Sequence, residues 1–163
     1  MKRTLSVLLL ALAALQAGAA EVAATDSHIA RMGRMVEEAD GAVRFAYPGV
    51  KLAFSFTGSR LSFDAASSGA RSYLEAVIDG GAPQRIKIGG APATYTLLDA
   101  KPGHHSIEIM HRSETWHGVV TLTGFKTDGV LDAAPALPAD LRPIALASAA
   151  RIAPRLHADE VWT

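Results

Sequence analysis

The sequence predicts an all-β protein, an antiparallel sandwich built from about eight short strands. Apolar and polar residues alternate in several short runs between residues 41 and 130, which is the period of a strand with one buried face. Gly, Pro, Asp and Ser separate these runs at intervals of about ten residues. No helical run of comparable length lies between them, so a parallel sheet with crossover helices is not expected.

Composition narrows the classes of function. The 163 residues suit one domain, and 49% of them are apolar, which is enough for a sizeable core. The 16 basic and 16 acidic residues cancel and form no basic stripe, so we expect no nucleic-acid partner. The absence of cysteine excludes disulfides, thiolate metal sites and a cysteine nucleophile. We expect no cofactor.

Residues 1–20 are predicted to be a signal peptide. Two basic residues precede the apolar stretch 5–15, and a small-residue cleavage pattern, Ala-Gly-Ala, ends at Ala19. The apolar stretch is too short to span a bilayer, which takes about 20 residues. We therefore expect cleavage after Ala19 or Ala20, a secreted or periplasmic location, and no membrane contact after cleavage.

Two segments flank the predicted strands. Residues 131–163 are rich in Ala and Pro and are predicted to be a linker and tail. Residues 21–40 are polar and are expected to be a leader with some helical character. In the leader, Asp26 or Ser27 could cap a short helical turn. That turn would carry apolar residues at helical spacing: Ile29, Met32, Met35 and Val36.

The sandwich domain is assigned to residues 41–130. A turn is predicted at residues 57–59, and Asp79-Gly80-Gly81 is a hairpin signal. The last two strands are predicted to pair as a hairpin, with Ile107 and Ile109 on its buried face. The predicted strands lie at residues 43–47, 50–56, 61–63, 73–78, 85–88, 94–98, 103–110 and 119–124.

The polar segment between the last two strands is the candidate binding site. Trp116 could stack on a sugar ring, while Arg112 and Glu114 could bond its hydroxyl groups. His117 and, from another loop, Tyr47 complete the predicted carbohydrate-binding set. A structural interpretation is also open, in which Trp116 is a core residue and Arg112 forms an ion pair with Glu114.

Histidines in the first strand of this pair raise the question of a metal site. Side chains alternate along a strand, so His105 and His111 share one face while His104 and Glu108 share the other. The candidate ligands are therefore split between two faces, and we expect no zinc site from this strand alone.

Four segments occur in an informative order: RFAYPGVKLAFSFTGSRLSF (44–63), EAVIDGG (75–81), YTLL (95–98) and GHHSIEIMHRSETWHGVVTLTGF (103–125). Together they resemble the N-terminal domain of carbohydrate esterase family two, the acetyl xylan esterase-like proteins, over about residues 36–128. The resemblance implies a jelly-roll β-sandwich and an extracellular role in deacetylating xylan and other plant polysaccharides. It also implies a following hydrolase domain of the SGNH/GDSL type.

The sequence departs from the family where the nucleophile is expected. The family's linker leads into a Gly-Asp-Ser block, whereas residues 141–144 are followed by alanines, with Ser148 as the nearby serine. Ser106 and Ser113 lie near histidines in the sequence, but acyl transfer also needs a positioned base and oxyanion donors. We therefore expect no catalytic residue.

Three interpretations of function remain open. The leading one is an accessory β-sandwich domain of an extracellular polysaccharide (acetyl xylan) esterase, which contacts carbohydrate or supports a hydrolase domain absent from this chain. The others are a stand-alone periplasmic carbohydrate-binding module and a non-functional fragment of an SGNH/GDSL esterase. The expected partners are a polysaccharide or oligosaccharide and an SGNH/GDSL hydrolase domain.

Overall fold

The computed structural model describes residues 19–133, which form ten strands and one 3-10 helix, Thr115–His117. Most of the predicted signal peptide and tail lie outside the described residues. Within the part of the chain that the structure describes, no helix is long and apolar enough to cross a membrane.

All strand pairs are antiparallel and belong to one hydrogen-bonded sheet. The strands are β1 (Ala20–Ala23), β2 (Ala30–Met32), β3 (Val36–Glu37), β4 (Val43–Phe45), β5 (Lys51–Ser67), β6 (Ser72–Ile78), β7 (Gln84–Ile88), β8 (Ala93–His111), β9 (Val120–Thr127) and β10 (Val130–Leu131). The sheet order is β3-β4-β9-β5-β8-β6-β7, with β1 added to β9 and both β2 and β10 added to β5.

Strand β5 bends sharply and thereby divides the sheet into two facing layers. The rings of Phe54 and Phe125 lie 4.8 Å apart, and those of Phe63 and Phe125 lie 6.4 Å apart. Phe54 and Phe63 both belong to β5, and the straight strand between them would span roughly 30 Å. The strand must therefore fold back between these two residues, so that its halves face each other across Phe125.

The two layers share the long strands. The first layer contains β7, β6, the second half of β8 and the first half of β5, with β2 and β10 at its edge. The second layer contains the first half of β8, the second half of β5, β9, β4 and β3, with β1 on β9. The predicted all-β antiparallel jelly-roll sandwich is therefore confirmed.

Two glycines that lie opposite each other mark the bend. Gly58 of β5 pairs with Gly103 of β8, and the register shifts between Gly58 and Arg60. A Cβ atom on Gly58 would lie 2.9 Å from the Oδ1 atom of Asp128 and 3.0 Å from the Cα atom of Gly129. The turn after β9 packs directly against the bend, so this position leaves no room for a side chain.

Asp128, which directly follows β9, stabilises the bend by hydrogen bonds. Its Oδ1 atom accepts hydrogen bonds from the backbone N–H groups of Ser59 and Arg60, both at 2.9 Å, and its Oδ2 atom accepts one from the Ser59 hydroxyl. The bond from the Ser59 hydroxyl, followed by the two backbone bonds, holds the pKa of Asp128 well below its ordinary value. The carboxylate is therefore ionised at neutral pH and binds the bend with charge-assisted hydrogen bonds.

The core fills the space between the layers. Buried side chains alternate with exposed or half-buried ones along each strand, as the sequence predicted for Ile107 and Ile109. The largest fully buried side chains are Phe54, Phe56, Phe63, Phe125, Leu52, Leu61, Leu74, Ile88, Ile107, Ile109, Leu122 and His111.

Two of the predicted strand boundaries are instead bends inside long strands. β5 continues through the predicted turn at residues 57–59, and β8 continues through Gly103. Because Gly58 pairs with Gly103, both strands change direction together and remain hydrogen-bonded. Glycine indicates a change of direction in both cases, and local sequence does not distinguish a bend from a turn.

The prediction that residues 103–110 and 119–124 form a hairpin is wrong. β8 pairs with β5 and β6, whereas β9 pairs with β1, β4 and β5. The segment between them therefore crosses from one layer to the other. Alternation indicates that a strand has one buried face, but it does not identify the neighbouring strand.

The helical character expected for residues 21–40 is also wrong. β1, β2 and β3 lie in this segment and pair with β9, β5 and β4. The Oδ1 atom of Asp26 does accept a bond from a nearby backbone N–H group, that of His28 at 2.8 Å, but it stabilises a turn and not a helix. Pairing with distant strands overrides a weak local preference for helix.

Asp128→Asn should lower the free energy of unfolding by roughly 1–2 kcal/mol at about pH 7, because charge-assisted bonds become neutral ones. The pKa of Asp128 is lowered in the folded state, so its contribution is full above the unfolded pKa of about 4. It is lost as the pH falls through the folded pKa. The difference between wild type and variant should therefore shrink progressively below about pH 4. Urea unfolding across this pH range measures it.

Asp99→Asn is the matched control for this experiment. Asp99 lies exposed on β8, and its side chain makes no hydrogen bond or ion pair within residues 19–133. Its substitution should leave the free energy of unfolding within about 0.5 kcal/mol of wild type. Equal effects of the two substitutions, or an Asp128→Asn effect that stays constant into acid, would contradict the role of Asp128.

Candidate functional site

Residues 112–119 form a corner that links β8 in the first layer to β9 in the second. The 3-10 helix Thr115–His117 lies at its centre. The Glu114 carbonyl begins this helix by accepting a hydrogen bond from the His117 N–H group at 2.9 Å. The corner contains four of the five residues that the sequence assigned to carbohydrate binding.

Ser113 anchors the near side of the corner to the start of β6. Its side chain is buried, and its hydroxyl accepts a bond from the Tyr73 N–H group at 2.7 Å while donating to the Arg71 carbonyl at 3.1 Å. The Arg112 N–H group donates to the Tyr73 carbonyl at 3.0 Å. The first two residues of the corner are therefore fixed by three hydrogen bonds to residues 71–73.

Two glycines in contact fix the far side of the corner. Gly118 has a φ of 129°, and a Cβ atom there would lie 2.5 Å from the backbone nitrogen of Gly69. A Cβ atom on Gly69 would lie 1.9 Å from the His117 carbonyl oxygen. Ser68 adds two bonds: its N–H group donates to the Val119 carbonyl at 2.9 Å, and its hydroxyl accepts from the Val119 N–H group at 2.8 Å.

Trp116 lies at the tip of this fixed backbone and is 78% exposed. Its ring meets the ring of His117 edge to face, with the centroids 5.8 Å apart. The structure thus excludes the interpretation of Trp116 as a core residue. A large aromatic side chain that remains exposed on a rigid backbone is typical of a contact surface.

The two charged residues of the corner do not bond each other. The Nε atom of Arg112 lies 3.6 Å from a carboxylate oxygen of Glu75 on β6, so the suggested ion pair with Glu114 is wrong. Two residues of separation place side chains on one side only if the segment stays extended, and here the chain turns into the 3-10 helix at Thr115. Glu114 is exposed and has no ion-pair partner within the described residues.

Tyr47 lies on the loop between β4 and β5 and is 42% exposed. Its hydroxyl accepts a bond from Arg34 at 3.1 Å, and the Arg34 guanidinium lies 4.8 Å from the centre of its ring. This loop meets the base of the corner, because the Gly49 N–H group donates to the His111 carbonyl at 2.9 Å. Tyr47 is thus near the start of the corner, but its hydroxyl group and its ring already contact Arg34.

Buried His111 forms a hydrogen bond with the backbone of the loop that carries Tyr47. Its Nδ1 atom lies 2.9 Å from the Tyr47 carbonyl oxygen, which can only accept, so Nδ1 carries the proton and donates. Its ring packs edge to face against Phe45, with centroids 5.4 Å apart. The histidine nearest to the corner in sequence is therefore a structural residue that joins the two layers.

Within residues 19–133, the other histidines do not build a catalytic or metal site with their neighbours. The Nδ1 atom of His105 lies 2.8 Å from the carboxylate of Asp79, but no serine lies within hydrogen-bond distance of its Nε2 atom in the described residues. The Ser106 N–H group bonds the same carboxylate at 2.8 Å, so Asp79 joins the β6–β7 turn to β8. No cluster of three or more metal-ligating side chains occurs within residues 19–133, and Ser148 lies outside them.

The turn at Asp79 has the form that the sequence predicted. Asp79 and Gly80 both have positive φ, 52° and 65°, and the Gly81 N–H group donates to the Ile78 carbonyl at 2.8 Å. These are the features of a type I′ turn, the usual connection of a two-stranded hairpin. β6 and β7 pair on either side of it.

Sequence reasoning missed the residues that support the corner. They lie at the end of β5, at the start of β6 and in the loop between these strands: Ser67, Ser68, Gly69, Arg71 and Ser72. The one available signal was the glycine directly after the Trp-His pair, since a glycine beside bulky polar residues often marks a positive φ or a close backbone contact. Nothing in the sequence joined that glycine to Gly69, which lies far away in the chain.

Fold and corner together define a class of protein, an antiparallel β-sandwich domain that carries an exposed aromatic residue on a rigid loop at one end. Within this class the chain belongs to the family described as Carbohydrate esterase 2 N-terminal, whose sequence profile matches residues 31–136. The family resemblance seen in the sequence is therefore confirmed.

Similar proteins of known function and structure support this assignment. An acetylxylan esterase / glucomannan deacetylase from Cellvibrio japonicus is 40% identical over 119 residues, which are 72% of this chain and 33% of the relative. The structure of a family two carbohydrate esterase from Cellvibrio japonicus matches with a TM-score of 0.72 and 39% identity, over 74% of this chain and 37% of that one.

A more distant structure also matches. It is a family two carbohydrate esterase from Clostridium thermocellum in complex with cellohexaose, with a TM-score of 0.59 and 26% identity over 66% of this chain and 34% of that one. The chain thus spans about a third of the length of the relatives that it matches.

Gly69→Ala should disturb the corner, because the new Cβ atom would overlap the His117 carbonyl oxygen. We expect a loss of roughly 1–3 kcal/mol in the free energy of unfolding, the usual cost of overpacking. The near-ultraviolet circular dichroism of Trp116 should also change, measured with Trp162→Phe as background so that one indole remains.

Gly90→Ala supplies the control on a neighbouring loop. The nearest atom to its new Cβ would be the Ser67 carbonyl oxygen at 3.8 Å, an ordinary contact. It should leave both the stability and the Trp116 spectrum close to wild type. If Gly69→Ala behaves in the same way, the two loops are not in the contact described.

Proposed function

We propose that this chain is the accessory β-sandwich domain of an extracellular polysaccharide esterase and that it contacts carbohydrate through the corner at residues 112–119. The single observation that carries the proposal is the position of Trp116, 78% exposed at the tip of a backbone fixed on both sides. Arg112, Glu114 and His117 contribute polar groups beside it, and Tyr47 borders it. We assign no catalytic residue and no cofactor.

The geometry suits the chemistry of sugar recognition. An exposed indole offers a flat apolar surface to the C–H face of a sugar ring, while charged side chains at its border bond the hydroxyl groups. Ser113, Gly69 and Gly118 hold the backbone of the corner before any ligand arrives. Less conformational entropy is then lost on binding, so even a small contact area is useful.

The family supplies the class of partner. The relative from Cellvibrio japonicus acts on acetylated xylan and glucomannan according to its name, and the Clostridium thermocellum enzyme was solved with cellohexaose. We propose a plant polysaccharide as the partner, and export of the chain by the predicted signal peptide to a secreted or periplasmic location. An SGNH/GDSL hydrolase domain is the second proposed partner.

A second candidate function is support of that hydrolase domain and not contact with the sugar. It is favoured by two exposed apolar side chains on the short strands β2 and β3, Met32 at 61% and Val36 at 59% exposure. Exposed apolar residues on edge strands are often covered by a neighbouring domain. The non-functional fragment differs from both candidates in the binding experiment below. The stand-alone carbohydrate-binding module would bind the polysaccharide but not a hydrolase domain.

Trp116→Ala should abolish binding to an acetylated xylan or glucomannan, because the stacking surface is lost. We expect a decrease of at least about tenfold in affinity, consistent with the cost of removing an aromatic anchor. The shift of the purified chain in native affinity gels that contain the polysaccharide measures this change. The free energy of unfolding should change little, since the side chain is exposed.

Met32→Ala is the control for the second candidate. It removes an exposed apolar side chain of another surface and should leave polysaccharide binding unchanged.

Absence of binding by the wild-type chain, combined with binding of a separately expressed family two hydrolase domain, would favour the supporting role. Absence of both kinds of binding would favour the non-functional fragment.

A further inference from the structure

A group of basic side chains surrounds Tyr73 on the outer face of the first layer. Lys87 of β7 pairs directly with Tyr73 of β6, and Arg85 lies on the same face two residues away. Arg112 directly follows β8, the strand on the other side of β6, and its N–H group donates to the Tyr73 carbonyl. Arg71 is exposed and directly precedes β6. We call Arg71, Arg85, Lys87 and Arg112 the basic patch.

Most of the positive charge in the basic patch is not neutralised. Glu75 lies within it, and one of its carboxylate oxygens is 3.6 Å from the Nε atom of Arg112. Arg71, Arg85 and Lys87 are exposed and have no carboxylate within ion-pair distance among residues 19–133. The chain as a whole has no net charge, so this local excess is a property of the surface and not of the composition.

Two of the cations are held in defined positions. The Arg85 guanidinium lies 4.3 Å from the centre of the Tyr73 ring, where the ring face attracts it. The ion pair with Glu75 orients Arg112 on the other side of Tyr73. A guanidinium has five N–H groups, so those not engaged in these contacts remain available to a carboxylate.

The basic patch is continuous with the corner that carries Trp116. The Ser113 hydroxyl bonds the backbone of both Arg71 and Tyr73, and the Ser72 hydroxyl donates to the His117 carbonyl at 3.3 Å. Residues 71–73 therefore lie directly beside the corner. A saccharide chain that stacks on Trp116 would reach the basic patch with its neighbouring sugars.

We infer that the basic patch binds the carboxylate of a uronic acid side group on the polysaccharide whose backbone contacts Trp116. The inference rests on the proposed carbohydrate contact and adds the substrate class, an acidic polysaccharide such as a xylan with glucuronic acid branches. Its carboxylate accepts hydrogen bonds from Arg71 and Arg112, and Lys87 contributes charge. Neutral glucans lack this group and bind through the corner alone.

Other anions fit the surface less well. Double-stranded nucleic acid presents a long row of phosphates and is bound by an extended basic stripe, whereas this patch occupies one part of one face. An acidic protein surface would match the charge but would not use the exposed aromatic ring beside it. The joint presence of a stacking surface and a few fixed cations favours a sugar that carries a single carboxylate.

The test compares two ligands that differ in one group. The first is a xylo-oligosaccharide with one glucuronic acid branch, and the second is the same compound with its carboxyl group reduced to an alcohol. Titration calorimetry should show the acid binding about three- to tenfold more tightly, the range expected for exposed charge-assisted contacts. Raising the salt concentration from about 0.05 M to about 0.5 M should remove this preference and leave the alcohol unaffected.

Three single variants with the same change of charge locate the effect. Arg71→Gln and Lys87→Gln should each weaken binding of the acid by about two- to fivefold and leave the alcohol unchanged. Lys101→Gln, at an exposed position of β8 outside the patch, should change neither.

The outcomes separate this inference from the proposed function. Equal affinity for acid and alcohol, with both lost in Trp116→Ala, would overturn the uronic acid assignment and leave the carbohydrate contact intact. Binding of neither ligand would overturn both. An aspartate oligopeptide or a short DNA duplex that binds as tightly as the acid would also overturn the assignment, since the patch would then be a general anion site.

Discussion

The hydrogen bonds that Asp128 accepts from Ser59 and Arg60 stabilise the bend on which the two-layer arrangement of the sheet depends. β5 takes part in both layers, so the direction in which it bends decides which residues face each other across the core. The paired glycines Gly58 and Gly103 permit the bend, and Asp128 selects one geometry for it. With the bend in place, Phe125 fills the space between the two halves of β5. The two ends of β5 then lie beside the corner, where the chain crosses from one layer to the other.

The residues at the corner fall into two groups, those that hold its backbone in place and those that are available for binding. Ser113 is engaged in hydrogen bonds within the protein. Gly69 and Gly118 pack so closely that a Cβ atom would not fit at either position. Trp116 and Glu114 make few contacts and remain exposed. A rigid backbone under exposed side chains lowers the entropy that must be lost when a ligand binds. The arrangement is therefore suited to recognition, whichever sugar the corner and the basic patch contact.

The alternation of residues 50–56 and 103–110 was sufficient to predict a two-layer β fold with the correct buried faces. Glycines at positions 58 and 103 indicated the right places for a change of direction, but whether such a change is a turn or a bend depends on the partner strand. Strand neighbours followed from long-range packing, which no local pattern encodes. Trp116 could be named as a candidate from the sequence, but neither its exposure nor its support by Ser68 and Gly69 could be predicted.

The proposed contact of carbohydrate with the corner and the basic patch is tested most directly by nuclear magnetic resonance of the isotope-labelled chain during titration with a branched acidic xylo-oligosaccharide. We predict that the perturbed signals are confined to the corner, including the Trp116 indole and His117, and to the basic patch. Perturbations centred instead on β2 and β3, or an unperturbed Trp116 indole at saturating ligand, would contradict the proposed contact.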